Sequence, residues 1–467
     1  MDLSKPYHGI NTPLFSLKTE KSSGIGEFLD LLPLIDWCET IGFSIIQLLP
    51  LNDSALDPSP YNAVSAFALH PIYVSLHALP FVTDKDLEPF QPLNHLSKID
   101  YPKVLSLKLA FFKEYFNRHF SSIQSDPSYK TFIANHKWLK SYVDFKGEEF
   151  HALIQYFAFQ QLKSVKLYAN QKGIFLKGDI PILISPDSLD VKLYPADFNL
   201  DLRAGAPPDM FTPDGQYWGF PTYHWDAIEK EGFTWWKERL SVASEFYDIF
   251  RIDHIIGFYR IFAIPVGQKA IQGAFIPSDQ NAAITQGEHL LKTILSFTPM
   301  YPIGEDLGLF IDHIRKSLSH LGIPGTKIPR WERYYDGDKS FIPYNNYLPC
   351  SLTTLSTHDT ELLSEWWTLF PSDAKEFARC FNLPSELTPT TRIQILHDAH
   401  HSASLFHINL LQEYLALEET FVSKDPHLDR INVPGTLLPT NWCHRYLPTL
   451  SQITSHPKLT ALMKSLI

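Results

Sequence analysis

Apolar residues recur at helical spacing at Phe28, Leu31, Leu32 and Ile35, stop at Gly42, and give way to the run Ser44-Ile45-Ile46-Gln47-Leu48-Leu49. A stripe of helical period followed by a short apolar run predicts an amphipathic helix feeding a buried strand. The same beat returns along the chain. An amphipathic stretch from Glu148 to Ala169 leads into strand-like Gly173 to Pro181, and a helix near Trp235 to Ser244 precedes a strand ending at Asp253. A helix near Gly287 to Leu295 precedes a strand ending at Glu305, and one at Ile311 to Leu321 precedes Gly325 to Ile328. A strand then ends at Thr357, and a long helix over about Thr391 to Glu419 leads to Arg430-Ile431-Asn432-Val433.

With a first strand near Gly9 to Phe15, the predicted strands are 44–49, 173–181, 247–253, 300–305, 325–328, 352–357 and 430–433 besides it, about the eight that a (β/α)8 barrel requires. A doubly wound sheet with a second domain is the alternative fold, but it gives no reason for reactive residues after so many different strands. The expected organisation is one barrel over 1–467. Residues 77–146, helical in pattern and without buried strands, form an inserted subdomain, and 186–225, rich in Pro, Gly and Asp, form a loop region serving as a lid over the cleft.

At 467 residues and 44% hydrophobic content the chain can bury a core of that size. A net charge of -11 without a dense basic stretch argues against nucleic acid as a partner. No apolar run reaches the length of a membrane span, and the first residues lack a secretory apolar core, which points to a cytoplasmic protein. Cys38, Cys350, Cys380 and Cys443 are scattered, giving neither a disulfide framework nor a zinc site. His397, His400, His401 and His407 fall at helical intervals and are expected on a solvated helix face rather than around a metal. Aromatic residues make up 14% of the chain, and any displayed in a cleft would suit stacking on sugar rings.

Three strand ends carry carboxylates: Arg251-Ile252-Asp253-His254, Gly304-Glu305-Asp306 and Thr357-His358-Asp359. Glycosidic cleavage with retention needs a proton donor for the leaving oxygen and a second carboxylate close enough to attack the anomeric carbon. Asp253 lies two residues from Arg251, so both point to one face of a strand, where the guanidinium would hold the carboxylate ionised. Glu305 has no basic neighbour in sequence and has Asp306 beside it, conditions that permit the raised pKa of an acid. Asp359 would bond sugar hydroxyls more strongly as the ring flattens, with His358 donating alongside. The same three carboxylates are also compatible with a divalent cation in a barrel lyase or isomerase, and an α-glucan hydrolase would use an identical set. Glycosidic chemistry itself requires no cofactor and no metal.

In these motifs the chain resembles the amylomaltases, or 4-α-glucanotransferases, also called disproportionating enzymes. The resemblance extends to Ser59-Pro60-Tyr61, Gly178-Asp179-Ile180-Pro181, Ala206-Pro207-Pro208-Asp209, Gly215-Gln216-Tyr217-Trp218-Gly219 and Asn432-Val433-Pro434-Gly435-Thr436. Gly219-Phe220-Pro221-Thr222-Tyr223 and Lys327-Ile328-Pro329-Arg330-Trp331 look like the plant cytosolic branch, whose amino-terminal starch-binding modules are not in this sequence. The resemblance implies a (β/α)8 barrel with inserted subdomains, Asp253 as nucleophile, Glu305 as general acid/base and Asp359 as transition-state stabiliser. It further implies substrate contacts by Ser59, Tyr61, Asp179, Asp209, Trp218, Arg251, His254, His358 and Asn432. The implied reaction is retaining transfer of α-1,4-linked glucosyl or maltodextrin units from maltose and maltodextrins, with glycogen as a further acceptor.

Overall fold

The computed structural model describes residues 1–208, 213–308, 312–335 and 337–467. Its strands are β1 (Tyr7–Thr12), β2 (Ile45–Leu48), β3 (Phe175–Ile180), β4 (Phe198–Ala206), β5 (Gln216–Tyr223), β6 (Ile249–Ile252), β7 (Ile261–Pro265), β8 (Ala274–Ile276), β9 (Tyr301–Gly304), β10 (Gly325–Lys327), β11 (Ser351–Thr353) and β12 (Phe406–Leu410). Eight of them form one sheet in the order β10-β11-β12-β1-β2-β3-β6-β9, every pairing parallel. The two ends meet. Gly304 N–H donates to the Pro324 carbonyl at 2.8 Å, Thr326 Oγ1 donates to the Gly304 carbonyl at 3.0 Å, and Asp306 Oδ1 accepts from Thr326 N–H at 2.6 Å. The result is a near-closed (β/α)8 barrel, as the alternating pattern predicts.

Tyr7, Ile45, Ile249, Ile303, Leu352, Phe406 and Ile408 pack into a cluster separate from the main core, with Phe175 and Tyr301 against it. They come from seven different strands, which only the barrel interior brings together. Because side chains alternate across a strand, Ile249 below puts Arg251 and then Asp253 on the same inward face, and Phe175 does the same for Lys177 and Asp179. Apolar floor and polar mouth are thus two ends of one strand pattern.

The eighth barrel strand is Phe406–Leu410, not 430–433. The helix predicted through Glu419 ends at His400. All five residues of β12 are buried between β1 and β11, including polar His407 and Asn409. A short helix, Leu411–Leu415, follows without a break, so apolar residues continue at helix-like intervals and mask the strand. Of the four histidines expected on one helix face, His397 and His401 stack on the exposed side with centroids 4.1 Å apart. His400 is buried with its Nε2 2.8 Å from the Tyr414 hydroxyl, and His407 lies on β12.

The described residues of 186–225 hold regular structure where the composition predicts loop. β4 and β5 pair as an antiparallel hairpin, and β7 and β8 extend it into a second sheet of order β5-β4-β7-β8. Between residues 77 and 146 lie the helices Tyr101–Ile123, Pro127–Asn135 and Trp138–Lys146 with shorter turns before them. Their aromatic residues pack on the helix Phe150–Gln171, as with Phe132 on Phe159 at 5.3 Å. Tyr142 and Lys146 reach buried Asp53 at 2.7 and 3.0 Å, which ties these helices to the loop carrying Ser59 and Tyr61. No helix among the described residues is long and apolar enough to cross a membrane.

Candidate active site

At the carboxyl ends of the strands one guanidinium meets three carboxylates. Arg251 Nη1 donates to both oxygens of Asp179, at 2.9 and 2.7 Å, and to Asp253 Oδ1 at 2.8 Å. Its Nη2 lies 3.8 Å from Glu305 Oε2. Asp179 also accepts from the Tyr61 hydroxyl at 2.7 Å. Tyr61 stacks on His358 with ring centroids 5.1 Å apart, and His358 Nε2 is 3.2 Å from Asp359 Oδ2. Asn432 Nδ2 donates to Asp359 Oδ1 at 2.7 Å. An unbroken chain of contacts therefore runs from Glu305 and Asp253 through Arg251, Asp179, Tyr61 and His358 to Asp359.

The three carboxylates named at strand ends differ in surroundings. Asp253, Glu305 and Asp359 have side chains 23%, 13% and 43% exposed, so each is partly open to solvent, Asp359 most. Burial lifts Asp253 to about 6 despite the attraction of Arg251, with Asp179 adding to the rise. The expectation that Arg251 holds Asp253 ionised needs correction, because burial raises the carboxyl by more than the guanidinium lowers it, and Asp179, bonded to the same guanidinium, adds to the rise. Burial lifts Glu305 further, to about 8, against Arg251 and helped by the Asp253 charge. Its oxygens accept from His254 N–H at 2.8 Å and Leu307 N–H at 3.3 Å. Burial would raise Asp359 as well, but the His358 imidazole, the Asn432 amide and Arg251 outweigh it and hold the carboxyl at about 2. Their surroundings thus drive the three carboxyls apart, Glu305 highest, Asp253 between and Asp359 lowest.

Of the residues expected to touch substrate, Tyr61, Asp179, Arg251, His254, His358 and Asn432 belong to this network. Asp179 is sealed, with both oxygens engaged by Arg251 and Tyr61. His254 holds a left-handed backbone at φ +44, which aims its N–H at Glu305, and its ring meets Trp218 edge-on at 4.9 Å. Trp218, from β5, brings the second sheet to the cleft. Ser59 lies two residues before Tyr61, its N–H donating to Asp57 at 2.9 Å, and among the described residues is joined to the network only through the chain. Asp209 lies outside the described residues.

Other contributors carry weaker signals in the sequence. Arg430 donates to the Asp359 carbonyl at 3.2 Å and Asn432 N–H to the His358 carbonyl at 3.1 Å, so 430–432 is a clamp on the Asp359 loop rather than a strand. Glu413, buried, accepts from Ser356 Oγ at 2.7 Å and Leu363 N–H at 2.8 Å, fixing the same loop from behind. Lys177, fully buried below Asp179, donates to Gln47 Oε1 at 2.8 Å, and burial and Arg251 lower its amine to about 7. A lysine and a glutamine inside apolar strand runs are the one signal that could have marked that pair. Trp442, whose ring lies against Tyr61 and His358, has no such signal.

Comparison with known proteins gives the family. The family model described as 4-alpha-glucanotransferase of glycoside hydrolase family 77 matches residues 12–149 and 146–451. A 4-alpha-glucanotransferase of Chlamydia pneumoniae is 41% identical over 99% of this chain and 96% of its own length. The rice (Oryza sativa subsp. japonica) 4-alpha-glucanotransferase DPE2 is 34% identical over 62% of this chain and 36% of its own. Among solved structures, amylomaltase from Streptococcus agalactiae in complex with acarbose superposes with a TM-score of 0.82 at 25% identity, covering 99% of this chain and 98% of that one. The chain belongs to the 4-alpha-glucanotransferase family, glycoside hydrolase family 77, and is an enzyme of that class.

Proposed function

We propose that Asp253 is the nucleophile, Glu305 the general acid/base and Asp359 the group that stabilises the flattened sugar cation. In the first half-reaction the Glu305 carboxyl gives its proton to the glycosidic oxygen while a carboxylate oxygen of Asp253 bonds to the anomeric carbon and the leaving glucan departs. In the second, the Glu305 carboxylate takes the proton of an acceptor 4-hydroxyl as that oxygen attacks the anomeric carbon and Asp253 leaves. Two inversions give net retention. The single observation that supports the reading is Arg251, whose one guanidinium touches Asp253 at 2.8 Å and approaches Glu305 at 3.8 Å, bringing both acids to one side chain.

The donors in this reading are maltose and maltodextrins, and the acceptors glucose, maltodextrins and glycogen. The acarbose bound to the Streptococcus agalactiae relative supports an oligosaccharide site of this kind. Transfer wins over hydrolysis when an acceptor hydroxyl is held in register and water is excluded. The β4–β5 hairpin is our candidate for the lid, supported by Trp218 packed on His254 at 4.9 Å. The helices between 77 and 146 act as an inserted subdomain that buttresses the Ser59–Tyr61 loop through Asp53.

Incubation with maltotriose tests the reading. Transfer predicts a ladder of longer and shorter dextrins plus glucose with a constant count of reducing ends. A rising count with glucose and maltose alone would identify a hydrolase instead.

A further inference from the structure

Trp442 takes a left-handed backbone conformation at φ +62, one that bulky side chains rarely adopt and that glycine adopts freely. Its surroundings hold it there. Trp442 N–H donates to the Ile431 carbonyl at 2.8 Å, and the preceding Asn441 accepts from Val433 N–H at 3.2 Å and donates to the Thr436 carbonyl at 3.1 Å. A turn required only for chain reversal would be cheaper with glycine, as at Gly42, Gly147 and Gly435 in this chain.

That ring stands 5.6 Å from Tyr61 and 5.8 Å from His358, centroid to centroid, while those two stack on each other at 5.1 Å. The three form a closed cluster, and each of the other two holds a carboxylate of the site: Tyr61 bonds Asp179 at 2.7 Å and His358 lies 3.2 Å from Asp359. Trp37, Trp218, Trp235 and Trp367 donate their indole N–H to partners within the chain, and Trp138 and Trp236 are sealed without one. Half-buried Trp442 meets Tyr61 and His358 through its ring and is held at its backbone by the Ile431 carbonyl.

We propose that Trp442 is a positioning residue for glucosyl transfer, its ring bracing the Tyr61–His358 stack so that His358 and Asp359 meet the sugar in register. The inference rests on the proposed role of Asp359 at the reacting sugar. A positioning residue acts mainly on the transition state, so its loss falls on kcat rather than KM.

The test uses the full chain with maltotriose, with rates normalised to folded protein by circular dichroism. Trp442→Gly keeps the backbone turn and removes the ring. Its kcat is expected to fall at least about 30-fold with KM within about threefold, and Trp442→Phe, which keeps a ring, to recover to within about threefold of wild type. A folded Trp442→Gly enzyme with wild-type kcat overturns the proposal, as does a Phe variant no better than Gly. Should Trp442→Gly not fold, Trp442→Leu replaces it, and equal kcat for Leu and Phe is then the overturning result. Asp253→Asn serves as the parallel control. If that variant is inactive while Trp442→Gly is normal, only this inference fails; if it transfers normally, the site assignment fails with it.

Discussion

Arg251 is bonded to Asp179 and Asp253 and lies near Glu305, so the ionisation of each acid depends on the others. With Asp253 lifted to about 6 and Glu305 to about 8, the competent form, Asp253 ionised and Glu305 protonated, is most populated between those values. A plot of kcat/KM against pH is expected to be bell-shaped with its maximum near pH 7, and a profile flat to pH 10 would contradict the role given to Glu305. Glu305→Gln should cut transfer about 10²- to 10⁴-fold. It also has a stability signature. The folded carboxyl titrates at about 8 against 4.5 for the ordinary group, so wild-type stability falls as pH rises from 4.5 to 8 and then levels. The Gln variant lacks that loss, and its melting temperature relative to wild type should climb over the same window. Asp253, Glu305 and Asp359 were legible as chemistry because each ends an apolar run. The sharing of Arg251 with Asp179 was not, since 72 residues separate them in sequence and only the β3–β6 register makes them neighbours.

At the scale of elements, barrel closure depends on Asp306 as well as on backbone pairing. Asp306 is buried, accepts from Thr326 N–H at 2.6 Å across the β9–β10 seam, and takes Arg315 Nε at 3.1 Å. Asp306→Ala leaves that N–H without its acceptor while Arg315 keeps Glu332, at an expected cost of about 1–3 kcal/mol. Urea unfolding checks it, and a change below 1 kcal/mol would show that the seam closes without the side chain. Seven barrel strands were legible as short apolar runs, five of them following a helical stripe. The eighth, Phe406–Leu410, was hidden by its buried His407 and Asn409 and by the helix that follows at once. The second sheet was hidden for a different reason. β4 is half exposed, β5 carries Gly219 and Pro221, and their pairing is interrupted by register shifts, so neither shows clean alternation.

Across the whole molecule, buried histidines set the response to acid. Burial lowers His8 and His444 to about 3, His70, His151 and His407 to about 4, and His400 in the same direction. These rings stay neutral in the fold and gain protons on unfolding below about pH 6.5, so each removes stability as pH falls from there toward its folded value. Glu27, Asp197, Asp253 and Glu305, all raised by burial, act in the opposite sense until the unfolded carboxyls also protonate near pH 4. The melting temperature should therefore decline gently from pH 6.5 to 4.5 and steeply below, and a constant value down to pH 3 would contradict this balance.

The same global arrangement makes the central claim, that side chains from β6, β9 and the loop after β11 act on one anomeric carbon. The direct measurement is to trap the intermediate. Glu305→Gln, supplied with an α-glucosyl fluoride whose departure needs no acid, should form the glycosyl-enzyme and discharge it slowly. Digestion and mass spectrometry should then find one glucosyl unit on the peptide containing Asp253. A glucosyl unit on any other residue, or its absence while product of inverted configuration accumulates, would contradict the account.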